Sequence, residues 1–193
     1  MMLKTNFNQF VKGYSEAASK MGKDHVSTFQ LILGLSHPHS TGSIKLQSPD
    51  INQHPLIDPH YLEDYRDVKV LVEGFKVLEK LENSKAYKSK GLRMSIVAPN
   101  CDSLEIRSEK YYECVARSLA LTEYHPCCTA KMGHKDDVMA VTDPRLRVRK
   151  VSGLRIADAS VMPMVTTANT QSPCYMIGEK AADLIKSDWG LVL

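Results

Sequence analysis

The chain has 193 residues, 43% hydrophobic and 24% charged, with a formal net charge of +3. That length accommodates one domain with a proper core, or pieces of two, and the composition is that of an ordinary globular protein. So small a charge argues against nucleic acid or an anionic membrane as partner, and no repeat, low-complexity tract or membrane-spanning apolar run of ~20 residues is present. The opening Met1-Met2-Leu3-Lys4-Thr5-Asn6 lacks the apolar run of a secretory signal. The compartment is left open, a secreted parent protein is allowed, and Met1 need not be the biological start.

In chain order, residues 14 to 24 are polar and rich in Lys and Ser, which reads as a loop or a poorly packed helix. Phe29-Gln30-Leu31-Ile32-Leu33-Gly34-Leu35 is an apolar run of strand length. After Gly42 the alternation Ser43-Ile44-Lys45-Leu46 predicts a half-buried strand, in a hairpin or meander. The Pro- and Asp-rich stretch from Ser48 to His60 reads as a loop. From Tyr65 to Leu81, Val68, Leu71, Phe75 and Leu78 recur at helical spacing, with Lys69, Glu73, Lys76 and Glu79 on the other faces. Asp64 or Asp67 is placed to cap this helix. A second helix is predicted over Glu109–Leu119, and both helices are expected to pack under a sheet. Gly153 to Asp158 reads as a turn followed by a buried strand. Ser172-Pro173 reads as the N-cap and first residue of a last helix, with Met176, Ile177, Leu184 and Ile185 as its apolar stripe.

The chemistry concentrates between Thr122 and Lys180. His125 sits in a Tyr124-His125-Pro126 turn, and Asn169 stands just before the last helix. An imidazole can accept a proton near neutral pH and a carboxamide can hold the oxygen left behind, a pairing suited to alcohol oxidation. Cys101, Cys114, Cys127, Cys128 and Cys174 are an odd, poorly spaced set, with neither a CxxC pair nor a disulfide framework. They read as buried or incidental thiols. A metal site of His125, Cys127, Cys128 and His134 is disfavoured, because adjacent cysteines fit tetrahedral closure badly. His37-Pro38-His39 reads as a polar loop.

Four stretches carry a family resemblance: His125-Pro126-Cys127-Cys128-Thr129-Ala130-Lys131-Met132-Gly133, the block from Asp143 to Pro173 ending in Asn169-Thr170-Gln171-Ser172-Pro173, and the upstream segments Ser40–Leu46 and Pro55–Pro59. Over roughly residues 28 to 189 the chain resembles the C-terminal part of the glucose–methanol–choline flavoprotein oxidoreductases, most closely the FAD-dependent glucose and choline dehydrogenase branch. The chain departs from the family's usual pattern at Cys128 (usually Gly), Ala130 (usually Cys) and Thr41 (usually Arg). A residue with a Cβ in place of Gly matters where the backbone needs positive φ.

The resemblance implies an α+β fold: an antiparallel sheet with flanking helices, plus a C-terminal segment that completes an FAD-binding α/β domain. It divides the chain into a variable or poorly ordered segment (1–27), a partial substrate-binding domain (28–130) and a C-terminal return segment of the FAD domain (131–193). It implies FAD as cofactor, an alcohol or sugar as substrate, hydride transfer to flavin N5, and oxygen or a quinone as final acceptor. His125 would be the base and Asn169 a hydrogen-bond donor to the substrate oxygen. Thr170 and Gln171 would contact the flavin pyrimidine edge, where a helix N-terminus favours negative charge. Asp158 and Ala159 would contact the ribityl–pyrophosphate region, with a structural cap the other reading of Asp158. No GxGxxG dinucleotide-binding motif occurs in the chain. The expectation is therefore that the segment alone is colourless and inactive, exposes apolar surface and strand edges, and associates with an N-terminal FAD domain. The rival expectation is a non-catalytic truncated remnant that acts only by association.

Overall fold

The computed structural model describes residues 29–96 and 98–191, together with Ser15 and Ser19. The expected variable segment 1–27 and the polar stretch 14–24 thus lie outside the described residues, apart from those two serines. In chain order the elements are β1 (Ser43–Lys45), β2 (Leu56–Asp58), α1 (Tyr65–Glu82), α2 (Lys85–Ser89), a 3₁₀ turn (Pro99–Cys101), α3 (Glu109–Leu119), a second 3₁₀ turn (Ala159–Val161) and α4 (Gln171–Asp188). An antiparallel two-stranded sheet with helices makes the fold α+β.

Two compact units divide the chain. One holds the described residues up to Gly42 together with Pro59–Leu121. Its centre is the pairing of α1 with α3. The helical periodicity of α1 turns Val68 and Val72 inward, and α3 contributes Tyr111, Tyr112, Val115 and Ala116 to the same core. The rings of Phe75 and Tyr112 stack at 4.8 Å between centroids. Lys76 ties the helices on the outside, donating to Glu73 at 2.8 Å and to Glu109 at 2.6 Å.

The two candidate caps of α1 have separate jobs. The Asp64 side chain accepts from the Arg66 N–H and is the N-cap. Asp67 is buried and faces the incoming chain, accepting from the N–H groups of His39 and Ser40 at 2.8 Å and from the Ser40 hydroxyl at 2.6 Å. Burial pushes the Asp67 carboxyl up, but these donors outweigh it and hold it below the usual carboxylate range. The 3₁₀ turn at Pro99–Cys101 is stapled to α3 by a Cys101–Cys114 disulfide, with 5.9 Å between the Cα atoms. The expectation of unlinked thiols fails here, since a spacing of 13 residues becomes short once a turn and a helix bring its ends together.

Three sequence expectations are corrected in this architecture. Phe29–Leu35 joins no ladder among the described residues. Leu33 and Leu35 lean on the helices, with Leu33 against Gly74, while Ile32 between them is 72% exposed. The predicted Ser43 strand instead pairs with Leu56–Asp58, inside the stretch read as a loop, in the register Ser43↔Asp58, Ile44↔Ile57 and Lys45↔Leu56. Pro55 and Pro59 flank that strand without interrupting it, since a proline just outside a strand removes no ladder donor. Gly153–Asp158 forms no buried strand: Gly153 turns the chain at φ 76°, Leu154 is exposed, and Arg155 makes an isolated bridge to Arg147.

The second unit holds Ser43–Asp58 and the residues from Thr122 onward. Its core is Leu146, Val161, Met162, Ile177 and Ala181, with Cys127, Cys128, Met132, Ile156, Ala159, Cys174 and Leu184 packed around it. Of the expected stripe on α4, Ile177 and Leu184 face this core, whereas Met176 is 66% exposed and Ile185 lies at the edge. Asp143 organises the loop before it: one carboxylate oxygen accepts from the N–H groups of Arg145 and Arg147, and the other from the Arg147 guanidinium. At the far end of α4, Asp188 bonds both Arg145 and Arg155. Burial acts to raise the Asp188 carboxyl, but the two guanidiniums hold it below its ordinary range.

Candidate functional site

The site grows out of a turn. The Thr122 hydroxyl accepts from the Tyr124 N–H at 3.0 Å, and Tyr124 adopts φ 61°. His125 follows and precedes Pro126, which restricts its backbone to extended conformations. The next residues run along the second 3₁₀ turn. The N–H of Cys128 donates to the Ala159 carbonyl at 3.2 Å, that of Ala130 to Ser160 at 2.9 Å, and that of Met132 to Val161 at 2.8 Å. Three bonds at alternate residues fix the segment from Cys128 to Met132. Gly133 closes the segment where a Cβ would come within 2.9 Å of both the Ala140 Cβ and an Asp137 oxygen.

His125 is half-buried, and its Nδ1 lies 3.2 Å from the hydroxyl oxygen of Thr170, 45 residues on. Thr170 is buried and occupies the N-cap position of α4, yet its side chain makes no capping bond. This corrects the expected start of the helix. The N-cap is Thr170 rather than Ser172, Gln171 is the first helical residue, and Pro173 is the third. The reason is local: proline has no N–H, so the third-residue donor that a cap would normally serve is missing, and the Thr170 hydroxyl turns to His125 instead.

Of the other expected site residues, Asn169 and Gln171 adjoin Thr170 in the chain. Asn169 is exposed and directly precedes Thr170, so the two Cα atoms are about 3.8 Å apart across their shared peptide. Gln171 is exposed, and its amide reaches the Tyr175 hydroxyl at 3.4 Å. Asp158 is exposed and caps the second 3₁₀ turn, accepting from the Ser160 N–H at 2.8 Å and from the Ser160 hydroxyl. Ala159 is half-buried and receives the Cys128 N–H. Among the described residues, no hydrogen bond links Asp158 to His125 or Thr170. Both of its side-chain bonds are those of a cap.

Cys128 has φ 74°, the left-handed region in which a Cβ costs roughly 1–2 kcal/mol. The substitution flagged by the sequence therefore stands where a glycine would be free of strain. Its sulfur is joined to that of Cys127, and both residues pack against the core, so these thiols too are linked rather than incidental. Cys174 is free. Among the described residues, no three His, Cys, Asp or Glu side chains gather as a metal site would require. Two details escaped the sequence reading, the Thr170 bond to His125 and the Cys127–Cys128 link. A hydroxyl residue just ahead of a helix whose third position is proline was the available signal for the first.

The C-terminal model of the family described as GMC oxidoreductase matches residues 38–178. A glucose dehydrogenase [FAD, quinone] of Drosophila pseudoobscura pseudoobscura is 38% identical over 185 residues, covering 92% of this chain and 30% of the relative. The mitochondrial choline dehydrogenase of Homo sapiens is 36% identical over 161 residues, covering 82% of this chain and 26% of the relative. A solved structure of a fungal aryl-alcohol oxidase superposes with a TM-score of 0.69 at 31% identity, over 80% of this chain and 25% of that one. The chain thus spans less than a third of the length of these relatives. A family match across most of the chain places it among the GMC oxidoreductases.

Proposed function

We propose that this chain is the C-terminal part of an FAD-dependent oxidoreductase that acts on the CH–OH group of an alcohol or sugar, with His125 as the proton acceptor. The observation that carries the reading is the approach of His125 Nδ1 to the Thr170 hydroxyl, which sets the imidazole beside the Asn169–Thr170 corner at the start of α4. With Nδ1 engaged, Nε2 is the nitrogen left for a substrate. His125 Nε2 takes the hydroxyl proton, and the Asn169 carboxamide donates to the same oxygen as negative charge develops on it. Asn169 cannot accept the proton and stay neutral, so the acid–base work falls to His125 alone.

The residues present fit a flavin. The first turn of α4 receives no side-chain cap, so its N–H groups and the positive end of its dipole are available to a carbonyl edge. Thr170 and Gln171 would hold that edge, while Asp158 and Ala159 would lie toward the ribityl–pyrophosphate portion. FAD would supply the acceptor for the hydride that leaves the carbinol carbon. Residues 28–130 would form part of the substrate-binding domain and 131–193 the segment that returns to complete the FAD domain, in association with a dinucleotide-binding part. Oxygen or a quinone would take the electrons onward.

The test is anaerobic mixing of the flavin-loaded protein that carries this segment with glucose, choline and aromatic alcohols. Bleaching of the flavin by at least one of them is expected. A flavin that stays oxidised across all three classes would overturn the reading.

A further inference from the structure

We propose that Thr170 is a positioning residue for His125: its hydroxyl oxygen accepts a hydrogen bond from Nδ1–H and thereby leaves Nε2 as the unprotonated nitrogen. The inference deepens the proposed function and rests on it. The contact joins residues 45 apart in sequence at 3.2 Å, and Thr170 is only 8% exposed, so water competes little for the hydroxyl. The usual use of a threonine at that position, capping the helix, is not taken. Pro173 removes one of the backbone donors a cap would serve, so directing the hydroxyl at His125 leaves that position with nothing unsatisfied.

The direction of the bond follows from the chemistry. If Thr170 donated to Nδ1, the neutral ring would carry its proton on Nε2, and neither nitrogen could accept another. With Thr170 accepting, the Nε2 lone pair is open. When a substrate hydroxyl transfers its proton, the O–H bond breaks and an Nε2–H bond forms. The ring becomes an imidazolium, and Nδ1–H remains on the Thr170 oxygen throughout. The contact also fixes the ring relative to Asn169, one residue away, so the proton acceptor and the oxygen donor share one anchor.

The first test needs no flavin. In the full 193-residue chain with ¹⁵N-labelled histidine, NMR at alkaline pH reports which ring nitrogen of His125 carries the proton. The Nδ1–H form is expected to predominate. Thr170→Val should move the population at least tenfold toward Nε2–H, and Thr170→Ser should restore it, with the remaining histidines unchanged. A wild-type His125 already in the Nε2–H form, or a valine variant with the wild-type population, would overturn the proposal. Should the valine variant not fold, the wild-type tautomer and its retention in Thr170→Ser decide alone.

The second test uses the flavin-loaded protein. Thr170→Val should lower kcat about tenfold, less than the ~10²–10⁴ of losing a general base, with KM little changed and kcat recovered by serine. The two readings fail separately. A His125→Ala variant with normal turnover, in a protein whose tautomer still depends on Thr170, removes the base and keeps the contact. An inactive His125→Ala variant beside a Thr170→Val variant with unaltered tautomer and kcat removes the positioning role and keeps the base.

Discussion

The two units of this chain are built by different rules. The unit around α1 and α3 is a product of helical periodicity: apolar residues at three- and four-residue steps meet in one core, side chains cap both helices, and a disulfide closes the segment between them. The unit around His125 reaches α4 through loops, held by alternate backbone bonds, an aspartate-centred turn, and left-handed residues at Tyr124, Cys128, Leu146 and Lys150. Regular elements bury their backbone groups by repetition, whereas the loop unit satisfies its own one by one. The contrast separates a stabilising body from a surface free to carry side chains at fixed, irregular positions, which is where binding and catalytic groups concentrate.

If the division is right, changes in the loop unit should move activity and changes in the helical unit should move stability. After loss of His125 itself, the largest effect is expected for Asn169→Ala, which should lower kcat of the flavin-loaded protein roughly a hundredfold through loss of a donor to the developing charge, with its unfolding midpoint unchanged. In the helical unit, replacing Cys101 and Cys114 together by serine should lower stability by about 3 kcal/mol, read from urea unfolding, because a closed loop of that size restricts the unfolded chain. An unaltered midpoint would show that the cross-link constrains nothing.

Asp67→Ala should cost roughly 2 kcal/mol by leaving the donors of His39 and Ser40 without their acceptor. Its pH dependence has a definite sign. The folded-state carboxyl is held below its unfolded value, so the stability it contributes is complete above about pH 4 and is lost as the pH falls through the folded value. Asp67→Asn should flatten the stability profile in that acid window; an unchanged slope there would deny the carboxylate this role. The smallest effect is expected for Asp64→Ala, a slightly lowered melting temperature from the lost N-cap, measured by thermal melting.

The helical unit was the more legible in sequence for the same reason. The bounds of α3 follow from its pattern, and those of α1 differ by one residue, because apolar spacing and caps are local signals. Phe29–Leu35 was misread because an apolar run of strand length says nothing about whether a partner strand exists; here it lies against helices. β2 was hidden among prolines that flank it. The Cys101–Cys114 link escaped because cross-links depend on Cα approach, which spacing alone does not reveal. In the loop unit the family motif located His125 and Asn169, and the Gly-to-Cys departure pointed to Cys128, whose φ of 74° is the conformation that glycine tolerates. The N-cap of α4 differs from the expected one because Ser172-Pro173 imitates a helix start; Pro173 removes a donor that a cap would serve, and the His125 ring takes up the Thr170 hydroxyl instead.

The most direct test is the rate at which an alcohol substrate reduces the flavin, measured without oxygen, in His125→Ala against the unaltered protein. With flavin content equal, the alanine variant should be slower by a hundredfold or more, as expected for removal of a general base. A rate within a few-fold of the unaltered protein would contradict the assignment of proton transfer to His125.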